Sequence, residues 1–82
     1  MSSVVGLEFG KRLVGERRRR GMNQYQFSDK LGITRAALSH YERGFREPSL
    51  TLISSFADTL GVSCDYLLGR TSVPGNGGFR DE

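Results

Sequence analysis

In the stretch ITRAALSHYERG, residues 33–44, four polar side chains and one methyl are set at helical spacing: Arg35, Ala36, Ser39, His40 and Arg43. Stepped at about 100° per residue from Arg35, they occupy an arc of roughly 0° to 140°, while Ala37, Leu38, Tyr41 and Glu42 occupy roughly 200° to 340°. The two sets do not overlap. The second is a packing face. The first is a row ending in two guanidiniums, a methyl, a hydroxyl and an imidazole, and such a row has no core to serve. It suits the major groove of a DNA duplex, where Arg bonds guanine edges bidentately, a small methyl meets the thymine methyl, and Ser or His reads mixed donors and acceptors.

A row of this kind reads nothing unless rigid elements hold it, and the surrounding sequence supplies them. Apolar Phe9 and Leu13 lie one turn apart in a first helix expected from about Leu7 to Arg20, stopped by Gly21. Asn23 caps a second helix, with Gln24, Phe27, Ser28 and Leu31 in one sector and Gly32 as its stop. Thr34 caps the third. Ser49 caps a fourth that runs to Leu60 with Leu52, Ile53, Phe56, Ala57 and Leu60 on one side, and Ser63 caps a short fifth through Leu68. Strand-like alternation is absent, so the expected fold is an all-α bundle of about five short helices with short connections. The second and third helices, joined through LGIT, form two short helices about a glycine-containing turn. In that arrangement the first lies across the phosphate backbone and the second enters the groove. Gln24 and Thr34 stand at helix starts, where amide N–H groups favour a phosphate, and Arg43 and Arg46 flank the far end of the third helix as backbone contacts.

Charge agrees with a polyanionic partner. Between Lys11 and Arg46 there are ten basic residues against three acidic ones, whereas two arginines face five acids from Glu47 onward. The length fits one domain. It divides into a flexible N-terminus (1–6), a helical body (7–69) and a Pro/Gly-rich tail (70–82) in which Phe79 is the one anchor. No apolar run approaches the ~18 residues of a membrane span and no signal-peptide pattern opens the chain, so a cytoplasmic place is expected. One cysteine, Cys64, allows neither an internal disulfide nor a zinc site.

The segment MNQYQFSDKLGITRAALSHYERGFREPSLTLISSFADTLGVSCDYLLG resembles the helix-turn-helix domain of the Cro and phage-repressor type, the xenobiotic response element (XRE) family of bacterial and phage regulators. The resemblance covers roughly residues 7 to 69. It is carried by the NQ that opens the second helix, LGIT at the turn, SHYERG closing the third helix, and LGVSCDYLLG. It implies a lambda-repressor-like fold and a cytoplasmic, nucleoid-associated regulator of transcription, with double-stranded DNA as partner and no cofactor or small-molecule ligand. By the same resemblance Gln24 touches a phosphate, Arg35, Ala36, Ser39 and His40 face base edges, and Arg43 grips backbone. An ion pair between Arg17 in the first helix and Glu42 in the third is also implied. Ser28 departs from the alanine common there, and a buried hydroxyl would need a backbone carbonyl.

Blander readings stand beside these. His40 lies near a base or phosphate or is merely exposed, and no second His or Cys lies near it for a metal. Tyr25 is a phosphate donor or simply exposed. Arg18, Arg19 and Arg20 are scattered by their 100° steps and are solvated or reach a distant phosphate, and Cys64 is a small apolar residue. A nucleophile needs a base and an orienting third group, which the lone histidine lacks, so no enzyme is expected. One helix this short reads too little duplex, so a twofold dimer on a palindromic operator is expected. The apolar excess near the C-terminus, Val62, Tyr66, Leu67 and Val73, with Leu68 besides, supplies the expected interface, some of these residues serving as core and the rest left over for a second copy. A second class of function is an antitoxin-like or protein-docking module, whose surface should display aromatic or leucine anchors rather than an arginine-serine-histidine row, and a third is non-specific nucleic-acid binding through charge alone.

Overall fold

Side-chain caps set where the helices begin. The computed structural model describes residues 4–73 and Gly75 and comprises α1 (Val4–Arg19), α2 (Gln24–Leu31), α3 (Arg35–Glu42), α4 (Leu50–Leu60) and α5 (Cys64–Leu67), with no strand among those residues. Asn23, Thr34, Ser49 and Ser63 precede α2 to α5 with extended backbone, and their side chains accept the amide N–H of Gln26, Ala37, Leu52 and Tyr66. Each such cap stabilises by about 1 kcal/mol. At Asn23 the exchange is reciprocal, because Gln26 Oε1 accepts the Asn23 backbone N–H at 2.8 Å.

α2 stops at Gly32, whose φ of 71° is left-handed. The Ile33 amide there returns to the Ser28 carbonyl at 3.1 Å. Only glycine adopts this conformation at little cost, and it reverses the chain within Gly32, Ile33 and Thr34 so that α3 starts at once. The buried hydroxyl of Ser28 donates to the Tyr25 carbonyl at 3.1 Å, within its own helix.

Two boundaries differ from the sequence expectation. α1 begins at Val4, so residues 4–6, expected in a flexible N-terminus, form its first turn. Side-chain periodicity reports burial, whereas a helix propagates through backbone bonds until a breaker, and no proline precedes Leu7. The tail expected from residue 70 is tied down at its start, since Arg12 Nη1 donates to the Thr71 carbonyl at 3.0 Å. Residues 1–3, 74 and 76–82, with the Phe79 anchor, lie outside the described residues.

Phe56 of α4 stands at the centre of the core. Its ring meets Phe9 of α1 at 5.6 Å, Phe27 of α2 at 5.8 Å and Tyr41 of α3 at 6.0 Å between centroids. Leu13, Leu38 and Leu67 fill the space around it and are fully buried. Burying one such side chain contributes roughly 1.5–3 kcal/mol. α1 passes close to α3 at Gly10, where an added Cβ would collide with the carbonyl oxygen of Glu42. Absence of a side chain at residue 10 therefore lets α1 press against the back of α3.

Candidate nucleic-acid interface

α3 is amphipathic in the sense its residue order dictates. Leu38 and Tyr41 enter the core. Arg35, Ala36, His40 and Arg43 are exposed, with Ser39 half-buried among them. The row read from the sequence is therefore one continuous outward strip.

Beneath the strip lies a buried charge pair. Arg17 Nε donates to Glu42 Oε2 at 2.6 Å and Arg17 Nη2 to Glu42 Oε1 at 3.3 Å. Arg17 Nη1 reaches the Met22 carbonyl at 2.9 Å, in the loop that leads into α2. Two charges removed from water cost several kcal/mol each unless every lone pair and proton is met, and here the guanidinium and the carboxylate are both multiply bonded.

Gln24 joins this buried pair to the surface. Its Nε2 donates to Glu42 Oε1 at 2.8 Å, and its Oε1 accepts Arg35 Nη1 at 3.3 Å. A second amide N–H remains on Gln24 for another acceptor. The Arg35 guanidinium also lies 5.1 Å from the centroid of the exposed Tyr25 ring, within cation–π range. Arg35 is thus held from two sides before any ligand arrives.

The other residues expected at phosphates border the same strip. Thr34 spends one hydroxyl lone pair on the Ala37 amide at 3.0 Å as the α3 cap, leaving its O–H as a donor. Arg43 lies 4.6 Å from the centroid of Phe45, and Arg46 lies 5.8 Å from that of Tyr41. Both are exposed.

The C-terminal apolar residues separate into two groups. Val62 and Leu67, expected at a dimer interface, are 2% and 0% exposed and belong to the core, so they have no area to offer a second copy. Tyr66 and Leu68 are half-buried, and Val73 is exposed. The cause is volume: Val62 and Leu67 fill the core between the packed helices α1, α4 and α5.

A second polar cluster on α1 centres on Glu16, with the arginines expected in solvent, exposed Arg19 and partly exposed Arg20, at its rim. Glu16 is 2% exposed. It accepts Arg20 Nη1 at 2.6 Å and the Tyr66 hydroxyl at 3.0 Å, with Arg19 at 3.6 Å. Arg20 also donates to the Leu60 carbonyl at the end of α4. Burial pushes the Glu16 carboxyl up, but the bonds from Arg20 and Tyr66 and the charges of Arg19 and Arg20 outweigh it and leave it below its ordinary value. Burial, the bond to Glu16 and the charge of Glu16 raise Tyr66 above the usual phenol value. The i,i+4 spacing of Glu16 and Arg20 is the sequence signal for half of this cluster. Among the described residues no group of three metal-ligating side chains occurs, and no helix is long and apolar enough to cross a membrane.

Residues 16–67 match the family described as Helix-turn-helix, a span that contains α2 to α5 whole. The HTH-type transcriptional regulator ImmR of Bacillus subtilis is 37% identical over 67 residues, which is 82% of this chain and 53% of ImmR. The chain spans about half the length of the curated relatives it matches at this level. Among solved structures, the restriction-modification controller protein C.AhdI of Aeromonas hydrophila is similar with a TM-score of 0.70 at 31% identity, over 74% of this chain and 92% of that one. SinR, described as the master regulator for biofilm formation and solved in complex with DNA, is similar with a TM-score of 0.69 at 28% identity, over 73% of this chain and 97% of that one; its organism is Bacillus subtilis. With an α2–turn–α3 unit carrying an outward polar strip, and a family match over more than half of its residues, this chain belongs to the helix-turn-helix family, of the Cro and phage-repressor type.

Proposed function

We propose that the chain is the DNA-reading part of a transcriptional regulator, a repressor that binds a palindromic operator as a homodimer with α3 in the major groove. The observation that carries this is the strip itself: exposed Arg35, Ala36, His40 and Arg43 on one side of a helix whose other side is core. A solvated helix face has no use for an arginine aimed by Gln24 and Tyr25, whereas base readout needs that arginine pre-set. The similarity to SinR, solved in complex with DNA, supports the same reading.

In this reading Arg35, Ala36, Ser39 and His40 meet base edges, and Gln24, Tyr25, Thr34, Arg43 and Arg46 meet phosphates. The phosphate contacts set register and the base contacts select sequence. Two copies on half-sites about 34 Å apart supply the area that one short helix lacks. Of the apolar residues considered for the contact between copies, Tyr66, Leu68 and Val73 keep surface for it. An operator overlapping a promoter is then blocked by occupancy alone, with no catalytic step.

Selection of bound sequences from a random duplex pool, followed by footprinting, tests the proposal. Inverted half-sites one helical turn apart, protected in the major groove, are expected. Binding that enriches no sequence would reduce the interface to charge and remove the operator reading.

A further inference from the structure

Phe45 follows the recognition helix in the loop that leads to α4, and it is 60% exposed. Its position is not that of a loose loop side chain. The Phe45 amide donates to the His40 carbonyl at 2.9 Å and the Gly44 amide to the Tyr41 carbonyl at 3.2 Å, closing the end of α3 through Gly44 at φ 75°. The ring centroid lies 6.1 Å from that of His40 and 4.6 Å from the Arg43 guanidinium carbon. Exposed Arg46 follows in the chain. A large apolar ring is thus fixed on the outward strip, with cationic side chains on both sides of it in sequence.

We infer that Phe45 is a further contact residue of this interface, laying its ring against aliphatic C–H surface of the duplex beside the phosphate that Arg43 grips. The inference rests on the DNA reading proposed above. Charge complementarity selects the occupant: a ring between Arg43 and Arg46 is matched by a polyanion that carries apolar surface between its charges. The duplex backbone offers deoxyribose between phosphates, and the groove beside it offers the thymine 5-methyl group, which Phe can contact.

The test measures Kd for the selected operator, and for a duplex carrying one half-site, over a series of salt concentrations. The wild-type chain is compared with Phe45→Ala and Phe45→Leu. Phe45→Ala is expected to weaken both duplexes by about tenfold, as loss of a buried apolar group does, with the salt slope unchanged because no phosphate contact is lost. Phe45→Leu, which keeps apolar area and loses the ring, is expected to retain most of the affinity. Replacing thymine by uracil at the positions nearest the half-site edge distinguishes the two sources: a Phe45 effect that vanishes assigns the methyl group, and one that persists assigns the sugar. Equal affinity of Phe45→Ala and wild type overturns the inference. So does a salt slope smaller by about one, which makes Phe45 a positioning residue for Arg43 alone. A loss on the full operator that disappears on the half-site also overturns it, because the ring then covers a second copy. A wild-type chain that binds no duplex instead fails the DNA reading itself.

Discussion

Arg17 and Glu42 lie 2.6 Å apart, joining the last turn of α1 to the last residue of α3 with side chains 8% and 4% exposed. The same carboxylate accepts Gln24, whose other amide end takes Arg35. One buried pair therefore seats the recognition helix and, through a single side chain, fixes the direction of its first arginine.

Removing one member of that pair leaves the other charged in the interior. Arg17→Ala is expected to destabilise the fold by about 3–5 kcal/mol, a large share of the roughly 5–15 kcal/mol a domain has. Replacing both members with apolar residues of similar volume should cost far less. Urea titrations followed by helical circular dichroism check both, and a loss under about 1 kcal/mol for the single variant would deny that the pair seats α3.

Two glycines of α1 should respond in opposite directions to the same substitution. At Gly10 a Cβ meets the Glu42 and Tyr41 carbonyls, which are backbone and cannot swing aside, whereas at Gly15 nothing lies within 4 Å. Gly10→Ala is expected to cost about 1–3 kcal/mol by overpacking. Gly15→Ala should stabilise by about 1 kcal/mol through helix propensity. Thermal unfolding of the two variants side by side gives the sign of each.

Most of the helix pattern was legible because capping and stopping are local chemistry. Asn23, Thr34, Ser49 and Ser63, with Gly32 and Gly61, mark boundaries without reference to the rest of the chain. The outward strip of α3 was legible for a related reason, since a helix of known start leaves no choice about which residues share a side. Tertiary volume was not. Val62 and Leu67 are apolar whether they fill a gap or await a partner, and only the enclosed space between α1, α4 and α5 decides. The bond from Arg20 to the Leu60 carbonyl spans forty residues and has no sequence signature. Phe45 sits where no periodicity applies, so its direction comes only from the closing turn at Gly44.

Arg35 and Arg43 carry the same charge and should fail differently. Arg35→Ala is expected to lose about 1–3 kcal/mol of discrimination at one base pair, with other positions unaffected. Arg43→Ala should weaken all duplexes alike and lower the salt slope by about one. Binding to single-base variants of the selected operator across salt concentrations separates them, and interchangeable profiles would erase the distinction between reading and gripping. Gln24→Ala is expected to lose part of the discrimination lost in Arg35→Ala, because the arginine then keeps only the Tyr25 ring as its guide, and to weaken all duplexes besides through its own neutral phosphate contact, with the salt slope unchanged.

Glu16 and Tyr66 set limits on stability at opposite ends of the pH scale. The folded carboxyl of Glu16 titrates below its ordinary value of 4.5, so its contribution is complete above that value and is lost as pH falls through the folded value. Tyr66 titrates above its ordinary 10.0, so its contribution is complete below that value and disappears as pH rises through the higher folded one. Tyr66→Phe removes a donor from Glu16 and should move the acid loss of stability to higher pH while abolishing the alkaline loss that belongs to the phenol. Melting temperatures of the two chains from acid to alkaline pH follow both edges. An acid edge that stays in place would mean that Arg20 alone holds the carboxylate, and an alkaline edge that survives would assign that loss to another group.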